Sequence, residues 1–493
     1  MSRVVVIGAG VGGLAAAIRL ARAGHRVVVH ERSAVAGGKL GRYQRDGFRF
    51  DTGPSLLTLP EVFADLDLGL RPQPLEPVVR HVFPDGSVLD SSSSHDVFVS
   101  RIADAFGAGA AADWRRFWKR AAHIWTASWR SVLRRPVTPA SLAALSWRLT
   151  DLRAIAPGRS LQSLGVQYLR DWRLRMLLDR YATYAGADPR RAPAALAAIP
   201  YAELTYGGWY LPGGIGTLAD AMVNRCADAG VDVVFDSAVT AIETDPPSGS
   251  TAASPPSRAV KVRGVRLASG EFEPADVVVA DVDALTVYRD LLPTPARLAG
   301  LTERSLAGFV LLLGVRGSTP TLAHHTVFFP HHYAAEFDAV FGDPGHGARA
   351  RPPADPAIFV TRAADDAVHP PGTEAWFVLV NAPPHGYGWN SVDWRRPGLA
   401  DAYRDHVLAV LAARGLDVRD RLIFAETRTP ADLADATAAP GGAIYGTAGG
   451  LLRPANRGPV SGLHLVGGST HPGGGLPMVT LSAQIVADQI GPA

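Results

Sequence analysis

Cysteine and lysine are scarce in this sequence. Cys226 is the only cysteine in 493 residues, which excludes an intramolecular disulfide and a cysteine-based metal or iron–sulfur site and fits a reducing cytoplasm. Lysine occurs only at Lys39, Lys119 and Lys261, so the 49 basic residues are mainly arginine. With 46 acidic residues the net charge is +3, and nucleic acid is therefore not implied as a partner.

Long apolar runs are also absent. No stretch of about 18 uncharged apolar residues occurs, so we predict no transmembrane helix. The apolar N-terminus carries a glycine pattern and Arg19 without a following cleavage site, and we expect no signal peptide there. A hydrophobic fraction of 47% and a charged fraction of 19% indicate a globular protein of two or three domains, or one large domain with an insertion.

The chain begins with the pattern strand, glycine turn, helix, strand, in VVVIGAGVGGLAAAIRLARAGHRVVVHER from residue 4. Its glycines have the G-x-G-x-x-G spacing. Gly8 permits a tight turn, Gly10 allows the backbone to approach a pyrophosphate, and Gly13 lets the helix pack close to the strand. We predict strands at 4–7 and 27–29 and a helix at 14–23.

Glu31 closes the second predicted strand, about 20 residues beyond the glycines, where an acidic side chain accepts hydrogen bonds from a ribose. The helix N-terminus offers unpaired N–H groups and a positive dipole end to phosphates. An acid at this position disfavours a 2′-phosphate, so NADP is not expected. The segment therefore predicts a dinucleotide site, against the alternative of an ordinary glycine turn without a ligand.

A basic, aromatic segment lies at residues 113–135. Helical spacing places its apolar side chains on one stripe, formed by Trp114, Trp118, Ala121, Trp125, Trp129 and Val132. Arginines flank this stripe, as in helices that lie in a bilayer interface. The alternative is a helix that packs its tryptophans on the protein and extends its arginines into water. Residues 142–155, with Trp147, extend the patch under the first interpretation.

The rest of the chain alternates strands and glycine turns. We predict strands at 231–239, 260–267, 273–281, 309–315 and 376–380, a helix at 399–413, and a flexible loop at 245–257. Residues 302–423 are interpreted as a second, substrate-facing domain. The C-terminal segment LHLVGGSTHPGGGLPMVTLSAQIVADQI from Leu463 predicts a strand, glycine turns and a helix that begins near Leu476 and aims N–H groups at an anion or a flavin carbonyl. Two such units at opposite ends of the chain predict one discontinuous cofactor domain.

Two further segments strengthen this interpretation. Residues 36–39, Ala-Gly-Gly-Lys, resemble the GG-[RK] segment that follows the ribose-binding acid in flavoproteins with two dinucleotide-binding domains, although Lys39 stands where arginine is commoner. Residues 52–55, Thr-Gly-Pro-Ser, would bring backbone near a flavin ring, or form a surface turn.

Taken together, the motifs resemble the bacterial phytoene desaturase family of carotenoid desaturases over nearly the full length. They are GAGVGGLAAAIRLARAGHRVVVHER, GFRFDTGPSLLT, WYLPGGIGTLADA, HHTVFFPHHYAAEF, TPADLADATAAPGGAIYG, RPANR and LVGGSTHPGGGLPMV. The resemblance implies an α/β fold with a discontinuous Rossmann-like FAD-binding domain, a mixed-sheet substrate domain and a helical, membrane-facing region. The implied segments are 1–85, 201–300 and 426–493 for FAD, 86–200 for the helical region and 301–425 for substrate.

The resemblance also implies FAD as the cofactor. Its implied binding residues are Gly8, Gly10, Gly13, Glu31, Gly38, Lys39, Val239, Gly468, Pro477, Met478 and Val479. The implied reaction is carotenoid desaturation, in which a CH2–CH2 unit loses a proton and gives a hydride to flavin N5. Both phytoene-type desaturation and 3,4-desaturation of 1-hydroxycarotenoids fit, on a long apolar isoprenoid at the inner membrane surface, with quinone or oxygen as the final acceptor.

Other functions stay open at this point. A carotene cis–trans isomerase, a saturase or an amine-oxidase-like oxidation would use the same flavin, and an isoprenoid carrier would share the fold without turnover. No catalytic base is singled out, although Arg173, Arg175, Asp179 and His471 are candidates. Paired histidines from His324 and His331 lack a carboxylate partner, so we expect no metal site.

Overall fold

The computed structural model describes residues 1–138, 151, 155, 158–245, 260–293, 297–448 and 453–493. Residues 246–257 of the expected flexible loop lie outside this part of the chain. So does the expected extension of the aromatic patch at 142–155, apart from residues 151 and 155.

Short strands make up much of the described chain. In order they are β1 Arg3–Ile7, β2 Arg26–His30, β3 Arg42–Arg45, β4 Phe48–Asp51, β5 Gln73–Pro74, β6 Arg80–Val82, β7 Val88–Asp90, β8 Trp209–Tyr210, β9 Asp232–Val234, β10 Val239–Thr244, β11 Val262–Leu267, β12 Phe272–Pro274, β13 Val277–Ala280, β14 Ala307–Arg316, β15 His325–Phe328, β16 Ile358–Arg362, β17 Thr373–Ala382, β18 Leu422–Arg428 and β19 Leu463–Leu465.

Helices connect and cover these strands. They are α1 Val11–Arg22, α2 His95–Phe106, α3 Ala108–Ser128, α4 Leu161–Tyr168, α5 Trp172–Arg180, α6 Ala198–Tyr206, α7 Thr217–Asp228, α8 Ala284–Thr286, α9 Tyr333–Phe341, α10 Leu399–Ala413, α11 Pro430–Thr437 and α12 Leu476–Ile490. The predicted bounds 399–413 for α10 and the predicted start of α12 at Leu476 agree with the structure.

A parallel sheet joins the two ends of the chain. Its order is β19–β13–β1–β2–β9, and every neighbouring pair is parallel. Helices α1 and α12 pack against each other beside this sheet, which explains why the valines of β1 are almost wholly buried. The N- and C-terminal units therefore belong to one discontinuous sheet, as expected.

A second, seven-stranded sheet has the order β18–β14–β17–β16–β15–β6–β7. This sheet is mixed, because β15 and β6 are parallel whereas all other neighbouring strands in the sheet are antiparallel. Helix α10 covers one face through Tyr403, Val407 and Leu411. The hairpin formed by β6 and β7 belongs to this sheet, so the expected boundary at residue 85 falls inside a hairpin.

Two predicted strands are each divided in the structure, and those predictions were wrong. Residues 231–239 form β9 and β10, which lie in different sheets. Between them Asp236 has a φ of +52°, a left-handed conformation that ends a strand. Residues 273–281 likewise divide into β12 and β13, with Asp276 donating its backbone N–H to the carbonyl of Arg3.

The tryptophans of α3 point mainly into the protein. Trp114 is fully buried and Trp125 nearly so. The ring of Trp118 lies 4.7 Å from that of Tyr201, and the rings of Trp125 and Trp129 are stacked 4.9 Å apart. The stripe therefore packs on the body of the protein, as the second interpretation described. Within the described residues, no helix has the length and apolar character needed to cross a bilayer.

Candidate FAD and substrate site

The glycine turns of both chain ends meet at the carboxyl edge of the parallel sheet. Gly8 follows β1 with a φ of +97°, and a Cβ on this residue would lie 2.9 Å from the carbonyl oxygen of Asp281. A Cβ on Gly12 would lie 3.0 Å from Val479 Cγ1 and 3.2 Å from Gly467 Cα. The first turns of α1 and α12 therefore approach each other, and side chains on these glycines would fill the crevice between them.

The buried carboxylate of Glu31 connects β2 to this crevice. Its Oε2 accepts a hydrogen bond of 2.7 Å from Ala9 N, and its Oε1 accepts one of 2.9 Å from Ser33 N. The backbone carbonyl of Glu31 accepts a hydrogen bond of 2.8 Å from Ser237 N. This bond brings the start of β10 at Val239 to the same end of the crevice. The Glu31 carboxylate and the backbone that leads into β10 thus lie side by side.

The loop after β2 closes over the glycine turn. Gly37 N donates to the carbonyl of Ala9 at 2.9 Å, and a Cβ on Gly38 would be 3.4 Å from Gly10 Cα. Lys39 Nζ donates to the carbonyls of Ala443 and Ile444 at 2.8 and 2.7 Å. Burial lowers the pKa of Lys39 to about 8, against the opposing charge of Asp283. Lys39 therefore ties the N-terminal loop to a segment from the far end of the chain.

The C-terminal glycines complete the crevice. Gly475 caps α12 with a φ of +102°, and Pro477, Met478 and Val479 form the first turn. A Cβ on Gly468 would meet only Gly474 Cα at 3.5 Å and Val479 Cγ2 at 4.0 Å. These close approaches bring Gly8, Gly10, Gly13, Glu31, Gly38, Lys39, Val239, Gly468 and the first turn of α12 to one edge of the sheet.

Sequence reasoning missed Asp281, which directly follows β13. Its Oδ2 accepts a hydrogen bond of 2.7 Å from Gly13 N, and its oxygens would meet a Cβ on Gly10, Gly12 or Gly467. The available signal was an acid placed immediately after the apolar run Val277–Ala280, because adjacent parallel strands end at the same edge. These groups fit an FAD: a glycine-lined crevice beside the Asp281 carboxylate, two helix N-termini and the buried carboxylate of Glu31.

The four catalytic candidates lie in different surroundings. Arg173 pairs with Asp171 at 2.7 Å and with Asp85 at 3.1 Å. Burial raises the pKa of Asp179 to about 7, against a hydrogen bond from Gln162. The side chain of Arg175 passes near α4, where a Cβ on Gly165 would lie 3.9 Å from its Cγ.

His471 tethers the end of the α3 region. Its Nε2 lies 3.1 Å from the carbonyl of Val132 and 2.9 Å from that of Arg135, and the side chain is buried. A single ring N–H shared between two carbonyls holds this segment against the C-terminal glycine turn. Among the described residues, no cluster of three or more histidine, cysteine, aspartate or glutamate side chains is placed to hold a metal.

A second feature missed from sequence is the buried guanidinium of Arg180, which is 5% exposed. Its Nη2 donates a hydrogen bond of 2.6 Å to Tyr184 Oη, while its Nη1 has no hydrogen-bond partner among the described residues. The Tyr445 ring would overlap a Cβ on Gly474. Burial raises the pKa of Tyr445 to about 12, and the charge of Arg180 opposes this rise. Arg180 is therefore a buried cation whose charge acts on a ring beside the C-terminal glycine turn.

A cavity of about 220 Å³ adjoins the hairpin formed by β3 and β4. Its wall combines apolar and polar side chains, including Phe50, Asp51, Ser55, Tyr210, His324 and Phe377. His324 Nε2 is buried without a hydrogen-bond partner in the described structure. Burial, reinforced by Arg362, lowers the pKa of His324 to about 4, so the ring is neutral near pH 7. The cavity lining thus combines a neutral imidazole with apolar side chains and with charged ones, among them Arg42 and Arg49.

Comparison with known proteins agrees with this geometry. The family model for flavin containing amine oxidoreductases matches residues 11–303. The chain belongs to this family and is an FAD-dependent oxidoreductase, so FAD is its cofactor. A solved oxidoreductase from Methanosarcina mazei has a TM-score of 0.63 and 17% identity, covering 99% of this chain and 100% of that one. That likeness shows the fold alone.

Full-length relatives narrow the family further. The 4,4'-diapolycopene oxygenase of Methylomonas sp is 34% identical over 99% of this chain and 98% of the relative. The hydroxyneurosporene desaturase of Cereibacter sphaeroides is 33% identical over 99% of this chain and 97% of the relative. The chain is therefore a member of the carotenoid desaturase and oxygenase group, in agreement with the resemblance found in its sequence.

Proposed function

We propose that this protein desaturates an acyclic C40 carotenoid, converting one or more CH2–CH2 units into CH=CH. The observation that carries the proposal is the FAD crevice between the two ends of the chain, in a full-length relative of a hydroxyneurosporene desaturase. Phytoene-type substrates and 1-hydroxycarotenoids both contain the required saturated unit beside double bonds. FAD supplies the hydride acceptor when it is bound.

The chain's own residues have three tasks in this reaction. Glu31 and the glycine turns hold the nucleotide, while Lys39 fixes the loop that covers it. Phe50 and Phe377 in the cavity wall contact and align an apolar chain, while Arg42, Arg49 and Asp220 line the same cavity. The neutral His324 ring offers a hydrogen bond to a hydroxyl at the end of the substrate, a role that favours an oxygenated carotenoid over a hydrocarbon.

We further propose a peripheral location at the cytoplasmic face of the cell membrane, where such a substrate dissolves. The helical region exposes the apolar side chains Val97, Val166, Trp172 and Tyr206, which are available for contact with lipid. Quinone within the bilayer or dissolved oxygen would then reoxidise the flavin. The buried tryptophans of α3 are not assigned to this surface.

A second candidate is oxygenation of a terminal carotenoid carbon, favoured by the 34% identity to a diapolycopene oxygenase. Isomerisation, saturation and flavin-dependent amine oxidation use the same crevice, whereas a carrier needs no flavin turnover. These reactions yield different products. Desaturation lengthens the conjugated system without adding oxygen, and oxygenation increases the mass by the oxygen added.

The test is expression in bacterial cells that accumulate phytoene, neurosporene or a 1-hydroxycarotenoid, followed by pigment chromatography with mass detection. We expect a product two mass units lighter per new double bond, with a longer-wavelength absorption band. A product of unchanged mass would contradict desaturation and support isomerisation. A product two mass units heavier would support saturation, and one that contains added oxygen would support oxygenation. Cells carrying a Gly13→Ala variant provide the control, because that change removes the cofactor site.

A further inference from the structure

Asp281 occupies the part of the crevice in which a nucleotide's phosphates bind. Its Oδ2 accepts a hydrogen bond of 2.7 Å from Gly13 N in the first turn of α1. Its Oδ1 would lie 2.8 Å from a Cβ on Gly12. A helix N-terminus preceded by this glycine pattern is where a pyrophosphate binds in such folds. A side-chain carboxylate and a bound pyrophosphate therefore come to the same small group of amides.

Two negative groups cannot share these amides at low cost, because like charges a few ångströms apart in a poorly solvated site repel strongly. The carboxylate can move away or lose its charge. Movement is restricted, because Gly8, Gly10 and Gly13 approach Asp281 so closely that a Cβ on any of them would meet its atoms. Neutralisation needs only a proton from solvent, and the protonated acid becomes a hydrogen-bond donor.

We propose that Asp281 takes up one proton when FAD binds and donates a hydrogen bond from its carboxyl group to the cofactor's pyrophosphate. The step balances as binding of the anionic cofactor together with one solvent proton, without any redox change. Asp281 is then a cofactor-binding residue that acts as an acid, in contrast to Glu31, whose charged form accepts hydrogen bonds.

The charges around Asp281 agree with this assignment. Removal from water raises the pKa of Asp281 to about 7; the hydrogen bond from Gly13 N and the charge of Lys39 oppose this rise, and the charge of Glu31 adds to it. The neighbouring Asp283 is held by Arg304 through a 2.5 Å ion pair. The first turns of α1 and α12 contribute no titratable side chain. Lys39 is thus a nearby cation that opposes protonation of Asp281, and its own hydrogen bonds go to backbone carbonyls.

The proposal fixes the sign of a pH effect on cofactor affinity. Below a pH of about 7 the free protein already carries the proton, so affinity is constant. Above this pH each binding event must take a proton from solvent, so the FAD dissociation constant rises by up to about tenfold per pH unit. Asparagine at this position can donate a hydrogen bond but does not titrate. Asp281→Asn should therefore remove the pH dependence of the FAD dissociation constant.

The experiment titrates flavin-free full-length protein with FAD between pH 6 and 8.5 at constant ionic strength, following the quenching of flavin fluorescence. We expect a dissociation constant that is flat at low pH and rises about tenfold or more by pH 8.5 in the natural protein, with no rise in Asp281→Asn. The matched control is Asp276→Asn, at the exposed start of the same strand, where the carboxylate accepts from Arg3 N at 2.8 Å; this variant keeps the rise.

Calorimetry on the natural protein provides a second readout that does not depend on a variant that folds. Binding at pH 8 in two buffers of different ionisation enthalpy reports the protons taken up, and we expect about one. Zero protons, a flat dissociation constant in the natural protein, or an unchanged rise in Asp281→Asn would each overturn the proposal. A rise that disappears in Glu31→Gln but persists in Asp281→Asn would reassign the proton to Glu31 and overturn it too.

Discussion

The carboxylate of Glu31 and the backbone N–H of Ala9 form a 2.7 Å hydrogen bond that joins the end of β2 to the glycine turn. Glu31→Gln keeps the shape but removes the charge that strengthens this bond and a bond to ribose. We expect FAD affinity to fall about tenfold, equal to about 1.4 kcal/mol. Equilibrium dialysis with FAD measures the change. Glu61→Gln, at an exposed position, should bind like the natural protein, and equal affinity in both variants would contradict a ribose-binding role.

Gly13 provides a sharper test of the crevice itself. A Cβ on Gly13 would overlap the carbonyl oxygen of Gly8, so Gly13→Ala must push α1 away from β1. We expect lost FAD absorbance at 450 nm after purification and a melting temperature lowered by several degrees, corresponding to about 1–3 kcal/mol of overpacking. Gly109→Ala is the control, since a Cβ there meets only Arg170 Nη2 at 3.9 Å and alanine favours the helix. Full flavin content in Gly13→Ala would show that this turn does not hold the cofactor.

His324 tests whether the cavity distinguishes oxygenated from hydrocarbon ends. Its unpartnered Nε2 is unused by a hydrocarbon but binds a hydroxyl, so His324→Leu should lower kcat/KM for a 1-hydroxycarotenoid about tenfold or more. The value for neurosporene should change little or increase. Steady-state rates with both substrates in detergent measure this ratio. An equal loss for both substrates would indicate a structural role, and His346→Leu, on an exposed loop, controls for the loss of a histidine.

Asp179 should affect the pH dependence of stability. Burial raises the pKa of Asp179 to about 7 from an ordinary 3.8, so between these values the folded state keeps a proton that the unfolded chain releases. Its stabilising contribution is complete below pH 4 and is lost as the pH rises to about 7, with a slope of at most about 1.4 kcal/mol per unit. Asp179→Asn should flatten this part of the curve, as measured by urea unfolding at pH 5, 6, 7 and 8. The exposed Asp96→Asn should retain the slope; a curve for Asp179→Asn with the natural slope would refute the assignment.

Local sequence predicted the elements whose boundaries are set by local chemistry. Glycine spacing located the turn before α1, and Gly475 followed by Pro477 marked the start of α12. The same glycines predicted that the chain ends share a site. These features depend on residues within one turn of each other, and no distant partner is needed to specify them.

Features that depend on distant partners were not predictable in this way. The valines among residues 231–239 favour one strand, yet Asp236 turns left-handed and Ser237 bonds to Glu31 and to His30. The aromatic stripe around Trp114 has the same period whether it faces lipid or a neighbouring helix. Burial of Arg180 depends on partners distant in sequence, such as the Phe359 ring 5.7 Å from its guanidinium, so local sequence did not distinguish it from the candidates Arg173 and Arg175.

The most direct measurement of the central claim is a single anaerobic turnover. The flavin-loaded protein is mixed with a 1-hydroxycarotenoid in detergent while absorbance is followed at 450 nm and in the carotenoid bands, with products identified by mass. We expect one flavin to be reduced for each new double bond formed. Each new double bond should shift the carotenoid bands to longer wavelength. A product formed while the flavin stays oxidised, with unchanged mass, would contradict the central claim.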